Sequence, residues 1–308
     1  MDKIQLKVKN NLYQGWESVR IKKSMQSIAH TFSMEIFKGD QVQITNNDLL
    51  EILVNGKIFF TGYLDSYNLD ISSTKKPLQI SGRSRAMDLV DCNIEDNKQY
   101  NNINILQIIA DLIAPFDIKV STSLSLSVIE KFNTKTGETY FNAINRLCKQ
   151  TNTLPISDNL GNIVIIKNAN NISSNTLKDE DFKSLKLQKR YSNRFKKYTY
   201  KKETAIIQAV DGIVQDVEVE RFRPFVGNNN EDKTNIDMAN WKKSNDISKS
   251  ISLSGSVLGW NEEINTIKKL DTELVKESYL IKDIEYIKNN NGTISDITFV
   301  DKNLFKEN

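Results

Sequence analysis

Alternation of apolar and polar positions governs the first part of this chain. Trp16-x-x-Val19-x-Ile21 leads into Phe32-x-Met34-x-Ile36, and Leu50-x-Ile52-x-Val54 precedes Ile58-x-Phe60-x-Gly62-x-Leu64. A period of two predicts half-buried β-strands. Asn55-Gly56 joins the last two runs and predicts a two-residue hairpin. Asn46-Asn47-Asp48 and the stretch from Ser72 to Pro77 mark further turns, the second ahead of Leu78-x-Ile80-x-Gly82. A series of hairpins this long predicts a small barrel or sandwich with Trp16, Phe32 and Phe60 in its core.

The period then changes to that of helices. Ile105, Leu106, Ile108, Ile109, Leu112 and Ile113 predict a helix over Ile103 to Phe116, ended by Pro115. Thr139 to Thr151 predicts a second, with Phe141, Ile144, Leu147 and Cys148 on one face. Leu154-Pro155-Ile156, a turn at Asn159 to Asn162, and Ile163 to Ile166 read as a short hairpin.

From Leu185 alternation returns. Ile213 to Phe222 reads as a strand, with Val217, Val219 and Arg221 on one face and Asp216, Glu218 and Glu220 on the other. Gly227 to Asp232 reads as a polar loop and Asp237 to Ser244 as a short helix. Leu280 to Ile287, a turn at Asn289 to Gly292, and Ile294 to Phe299 form a last hairpin. Its layout resembles Tyr63 to Gly82, with Asp283 in the place of Asp65, a weak sign of internal duplication. The expected fold is α+β and mainly β. β-rich ends, 1–94 and 184–308, flank a smaller α+β domain, 95–183, and about 205–260 is either a small inserted domain or part of the second β-rich end.

Composition narrows the function. The 308 residues carry 42 Lys+Arg against 39 Asp+Glu, so a net charge of +3 argues against a dedicated nucleic-acid or membrane-surface protein. Lys outnumbers Arg 34 to 8 and Asn reaches 35, so single Lys and Asn residues inform less than usual. The N-terminal residues lack the apolar core of a signal peptide, and the longest apolar stretch is broken by Gln107, Asp111 and Asp117. Cys92 and Cys148 are too few for a disulfide framework and read as reduced thiols.

Catalytic chemistry is hard to assemble from these residues. One histidine, His30, leaves no His-rich metal site, and no nucleophile elbow accompanies it, so it reads as structural. Cys148 reads as a small core hydrophobe, and Cys92, beside Asp91, has no basic neighbour to favour a thiolate. Asp179-Glu180-Asp181, Glu231-Asp232 and Glu262-Glu263 are carboxylate pairs of the kind used in glycoside hydrolysis, but they read as solvated loop charges. P-loop, dinucleotide and zinc spacings are absent from the sequence. No catalytic residue, cofactor or metal is expected. Lys183 to Lys202 holds nine basic residues and no acidic one, interleaved with Tyr191, Phe195, Tyr198 and Tyr200. A phosphate-binding strip with stacking aromatics is one reading, and a pair of strands with Lys-rich solvent faces is the preferred one.

The order of several short segments resembles the baseplate hub proteins of Mu-like contractile-tailed phages, counterparts of the hub of T-even phages. Trp16 to Met25 followed by Phe32-Ser33-Met34 is similar to that family's first tube strands, and Gly82 to Cys92 to its exit from the first domain. Glu220-Arg221-Phe222-Arg223-Pro224-Phe225 matches an Arg-aromatic-Arg-Pro element, Ala239-Asn240-Trp241 an Ala-x-Trp step, and Gly255 to Trp260 the approach to the last strands. The sequence departs from the family at Met238 and Lys242, where Arg and Glu are usual, and around Trp260, which lacks the flanking Leu and Pro.

That resemblance implies a structural, non-enzymatic protein: a homotrimer whose subunits each supply two barrel-like tube domains, matching a six-fold tail tube to a three-fold spike. The implied partners are the tail tube, a terminal tube or tape-measure component, the central spike and the baseplate wedge proteins. Its place is the tail baseplate of the virion, assembled in the host cytoplasm, without membrane insertion. Edge strands would pair across subunits into a continuous ring. DNA would pass the channel without specific binding, so the lysines of 183–202 should face outward or meet a neighbour. Arg221, Arg223 and Trp241 are the expected partner or inter-domain contacts. Two other readings are a tail-associated cell-wall hydrolase, which a zymogram would reveal, and a surface-carbohydrate-binding module, which a glycan array would reveal.

Overall fold

The computed structural model of the chain describes residues 2–36, 42–45, 48–70, 76–126, 128–151, 153–167, 171–201, 212–228 and 235–302. Asn46-Asn47, Ser72 to Lys75, Lys202 and Glu231-Asp232 lie outside the described residues.

Seven strands open the fold: β1 (Ile4–Val8), β2 (Asn11–Tyr13), β3 (Ser18–Ser24), β4 (Ser27–Ile36), β5 (Leu50–Val54), β6 (Lys57–Leu69) and β7 (Leu78–Ser84). Val19 and Ile21 of β3 and Phe32 and Met34 of β4 are buried on one face, while Arg20 and Thr31 stay exposed on the other. Period-two patterning therefore decides which face packs. Asn55 and Gly56 both take positive φ, 52° and 80°, the twist that a two-residue hairpin between β5 and β6 requires. Trp16, Phe32 and Phe60 are all buried, and the two Phe rings meet edge to face at 5.3 Å.

The middle of the chain forms a second core. It contains α1 (Met87–Asp91), β8 (Gln99–Asn104), α2 (Ile105–Ile113), β9 (Val120–Thr122), β10 (Val128–Asn133), α3 (Tyr140–Gln150), β11 (Leu154–Ser157) and β12 (Ile163–Ile166). Helix α2 starts at Ile105 rather than Ile103 because Ile103 and Asn104 belong to β8 and the Asn104 side chain caps Leu106 N–H at 2.9 Å. Thr139 caps α3 in the same way. Ile108, Ile109, Leu112, Ile144, Leu147 and Cys148 pack together, and Ile28 of β4 joins them.

The last part comprises β13 (Asn171–Lys178), β14 (Phe182–Lys189), β15 (Lys197–Lys201), β16 (Gly212–Gln215), β17 (Pro224–Asn228), α4 (Asn235–Ser250), β18 (Ile251–Leu258), β19 (Thr266–Asp271), β20 (Ser278–Asn289) and β21 (Gly292–Asp301). Strands β16, β15 and β17 make a separate three-stranded sheet, and α4 covers it over Tyr198, Tyr200 and Ala239. The expected strand from Ile213 to Phe222 ends at Gln215. Asp216 turns inward there, and its backbone joins the tight turn in which Val219 N–H reaches Asp216 C=O. The helix expected to end at Ser244 runs on to Ser250, because Lys242 and Asp246 pair one turn apart and Asp246 is buried.

The strands do not close into two barrels. They form one 13-stranded sheet in the order β14-β18-β21-β20-β3-β4-β7-β6-β5-β1-β2, with β19 bound to β20 and β13 bound to β19. A strand has two edges, and β3 uses one on β4 and the other on β20, which leaves none to meet β1 or β2. The two ends of the chain repeat one plan. β3-β4-β7-β6-β5 and β14-β18-β21-β20-β19 follow one another in the same spatial and the same chain order. A single apolar core runs under both, from Leu6 and Trp16 to Tyr286 and Phe299.

Candidate functional site

The junction between these two repeats is held by backbone pairing, by ion pairs and by a buried lysine. β20 divides one edge between two partners: Ser278, Tyr279 and Leu280 pair with β19, and Asp283 to Lys288 pair with β3. The change-over falls at a register shift between Ile281 and Asp283, and Met25 N–H bonds Lys282 C=O there. Arg20 and Glu285 bridge the seam on its polar face at 3.0 Å, and Ser24 donates to Asp283.

Lys23 locks this seam from the buried side. Its side chain is 2 % exposed, and its ammonium donates to Asn159 of the β11–β12 turn at 2.6 Å and to Glu263 at 2.9 Å, 4.0 Å from the Phe59 ring centroid. Burial lowers its pKa and Glu263 opposes that shift. Lys268, equally buried, pairs with Glu262 at 2.6 Å and bonds Ser173. Glu262 and Glu263 are therefore more than the solvated loop charges that the sequence suggests: they are the counter-charges of two buried lysines, Glu262 itself enclosed and Glu263 still half in water. Asp179 and Asp181 bond the backbone N–H groups of Glu273 and Lys178.

The candidate chemistry elsewhere is structural. His30 is 3 % exposed, its Nε2 has no partner, and burial followed by the nearby Lys23 charge pushes its pKa down to about 3. Burial pushes the Cys148 thiol up to about 12, and the Cys92 thiol is also raised, by burial and then by Asp88 and Asp91. No group of three or more His, Cys, Asp or Glu placed to hold a metal occurs among the described residues. No helix among them is long and apolar enough to cross a membrane.

Within Lys183 to Lys202, Tyr198 and Tyr200 turn inward, 0 % and 7 % exposed, and Phe195 packs against them, while Tyr191 stays 56 % exposed. Arg194 is buried and bidentate to Asp216, at 2.9 Å for both bonds, with Glu218 at 2.7 Å. Lys196 bonds Glu220 C=O. Lys186 lines a polar cleft of about 900 Å³ with Ser24, His30, Ser256, Asp283 and Asp296.

Arg221, Arg223 and Trp241 all belong to the β15–β17 unit, but no hydrogen bond, ion pair or ring contact links them among the described residues. Arg223 is half-buried, donates to Ser192 C=O and lies 5.3 Å from the Phe195 ring centroid, so it braces its own unit. Arg221 is exposed, the adjacent Phe222 is 88 % exposed, and Trp241 is 40 % exposed on α4. Arg223→Ala is expected to lower the local stability of this unit by about 1–2 kcal/mol, read as faster amide exchange over β15. Unchanged exchange there would remove that bracing role.

The geometry has counterparts among known proteins. Residues 3–84 match the family model described as Mu phage baseplate assembly protein GpP-like, N-terminal, and residues 86–167 match Baseplate hub protein gp44-like, second domain. Baseplate hub protein gp44 of Escherichia phage Mu is 24 % identical over 243 residues, which cover 72 % of this chain and 64 % of that protein. The chain thus spans less than two-thirds of that relative's length. The 43 kDa tail protein of prophage MuSo2 from Shewanella oneidensis superimposes with a TM-score of 0.89 at 26 % identity, over 99 % of both chains. A tail protein from Neisseria meningitidis shares the fold with a TM-score of 0.85 at 16 % identity, over 99 % of this chain and 98 % of its own. An Escherichia coli component of the type VI secretion system shares it at 0.60 and 9 % identity, over 96 % of this chain and 76 % of its own.

Proposed function

The first two domains of this chain belong to the Mu-type baseplate hub proteins, and from that premise we propose that it works as the structural hub of a contractile tail or tail-like particle. Three copies form a ring of pseudo-six-fold symmetry that joins the tail tube to the central spike. One observation carries the reading: each chain holds the same five-strand plan twice, already joined edge to edge. Three such chains present six similar units, the number a six-fold tube needs, while the chain itself repeats three times, as a three-fold spike needs.

The remaining partners follow from that position. A terminal tube or tape-measure component meets the ring from above, and wedge proteins meet its outer side. The exposed Arg221 and Trp241, and Phe222 beside Arg221 in the chain, are contact residues for one of these. The role is mechanical rather than catalytic, its place is the tail baseplate of the virion, and assembly takes place in the host cytoplasm. DNA crosses the channel unheld, with the Lys186 side of the polar face balanced by Asp283 and Asp296.

Light scattering after size exclusion tests the reading. The expected particle has about three times the 35.3 kDa subunit mass and binds the spike protein. A monomer that neither forms the larger particle at high concentration nor binds spike would end it.

A further inference from the structure

We propose that the open face of the β16-β15-β17 sheet is the docking site for an amphipathic helix of a different tail protein, one with an apolar stripe and carboxylates at one end. The setting rests on the hub reading above, while the surface is argued from its own residues.

Both faces of this small sheet are apolar, and α4 covers one of them. Tyr198, Tyr200, Val214 and Phe225 point to the helix side. The fit there is close: a Cβ on Gly212 would collide with the backbone of Asn235, and one on Gly227 would meet the Tyr200 ring at 2.8 Å. Strand alternation sends Ile213, Thr199 and Val226 to the opposite side, and the register places them in one row across the three strands. Ile213 is 43 % and Val226 60 % exposed, whereas the shorter Thr199 between them is 6 % exposed. The row is thus a trough, floored by Thr199 and walled by Ile213 and Val226. β15 and β17 run parallel, and parallel strands with apolar residues on both sides are as a rule covered on both.

The loop from Asp216 to Arg223 lengthens this surface and is firmly held. Asp216 N–H bonds Lys196 C=O and Lys197 N–H bonds Arg223 C=O, so the ladder runs one residue past each strand. The Asp216 side chain faces inward to Arg194, and that of Arg223 inward to Phe195. Their neighbours Val217 and Phe222 therefore turn outward, and each is 88 % exposed. Bonds from Val219 N–H to Asp216 C=O and from Lys196 Nζ to Glu220 C=O fix the loop between them. Large apolar side chains fixed in water by a buried ion pair lose little freedom when a partner covers them, the condition for a preorganised contact.

Width and charge select the occupant. Strands about 4.8 Å apart make the three-strand row about 10 Å wide, the width of one helix. α4 meets the other face in this same manner. Lys197 lies on the open face beside the loop and Arg221 is exposed within it, and neither has an ion-pair partner among the described residues. Of the loop's carboxylates, Asp216 and Glu218 are engaged by Arg194, which leaves Glu220 alone against the two cations. The rim at that end is therefore net positive, and a helix that ends in carboxylates complements it.

Photocross-linking in purified, complete tail particles tests the site. Phe222→p-benzoylphenylalanine puts a photoreactive ketone at an exposed position that the fold does not need. Irradiation should join this chain to a different tail protein, and peptide sequencing should place the joint on a segment with apolar residues at i, i+3, i+4 and i+7 and acidic residues at one end. Adding Lys197→Glu and Arg221→Glu should lower the yield about tenfold, since each exposed charge pair contributes up to about 1 kcal/mol. An undiminished yield would remove the acidic end from the proposal. A cross-link only to another copy of this chain, or none, overturns the docking and leaves the hub reading standing. Flotation of the purified chain with phosphatidylcholine–phosphatidylglycerol vesicles, lost in Phe222→Ser, would assign the face to a lipid surface and overturn it as well. Tail particles that lack this chain would overturn both readings.

Discussion

Replacing Arg194 by Met should destabilise the β15–β17 unit by about 3–5 kcal/mol. The guanidinium and the Asp216 carboxylate are 5 % and 3 % exposed, so removing the cation leaves a carboxylate without water or counter-charge. What Asp216 retains is the 3.1 Å bond from Glu218 N–H, too little to offset the loss. Glu218 is 72 % exposed and stays solvated, so the penalty falls on Asp216 alone. The double variant Arg194→Met with Asp216→Leu should regain most of the stability, because a buried ion pair replaced by apolar groups of similar volume is close to neutral. Amide exchange over β15 to β17 separates the two cases. A double variant as unstable as the single one would show that the pair's hydrogen bonds, not its charge balance, hold the unit together.

Acid should weaken the fold through His30. In the folded chain this ring stays neutral down to about pH 3, whereas the unfolded ring takes up a proton near pH 6.5. The unfolded state thus binds more protons in between, so the stabilisation is full above about pH 6.5 and is lost as pH falls toward 3. The gap corresponds to about 5 kcal/mol in total, of which about 3 kcal/mol disappears between pH 7 and pH 4. Urea denaturation of the wild type and of His30→Asn at both pH values checks this. The variant begins less stable, but its loss on acidification should be smaller by about 3 kcal/mol. Equal losses would assign the acid sensitivity to other groups.

What the sequence makes legible follows from interactions that are local in the chain. Asn55-Gly56 demands its turn whatever surrounds it, and Asn104 and Thr139 set helix starts within three residues of themselves. The α+β, mainly β character and the burial of Trp16, Phe32 and Phe60 follow from the same short-range patterns. Pairing of β3 with β20 joins residues some 260 positions apart, such as Ser24 and Asp283, and no periodicity encodes it. Lys23, Lys268 and Arg194 look like surface cations because a charged residue's partner is supplied by the tertiary fold. For the same reason Arg223, singled out by its motif as a contact residue, turns out to brace Ser192 and Phe195 of its own unit.

The seam between β3 and β20 also bears on biosynthesis. Ser24 leaves the ribosome 259 residues before Asp283, which at about 5–20 residues per second is a wait of roughly 13–50 s. Throughout that interval β3 can pair with β4 but not with the strand that covers its other edge, and Val19 and Ile21 sit on an uncapped template for stray strands. Arg20, Lys22 and Lys23 put three positive charges on that open edge, and charge on an edge strand disfavours pairing with a like-charged copy. Lys23 can take its buried place only once Glu263, 240 residues later, has been made, so the charge that the finished fold encloses stays in water for most of synthesis.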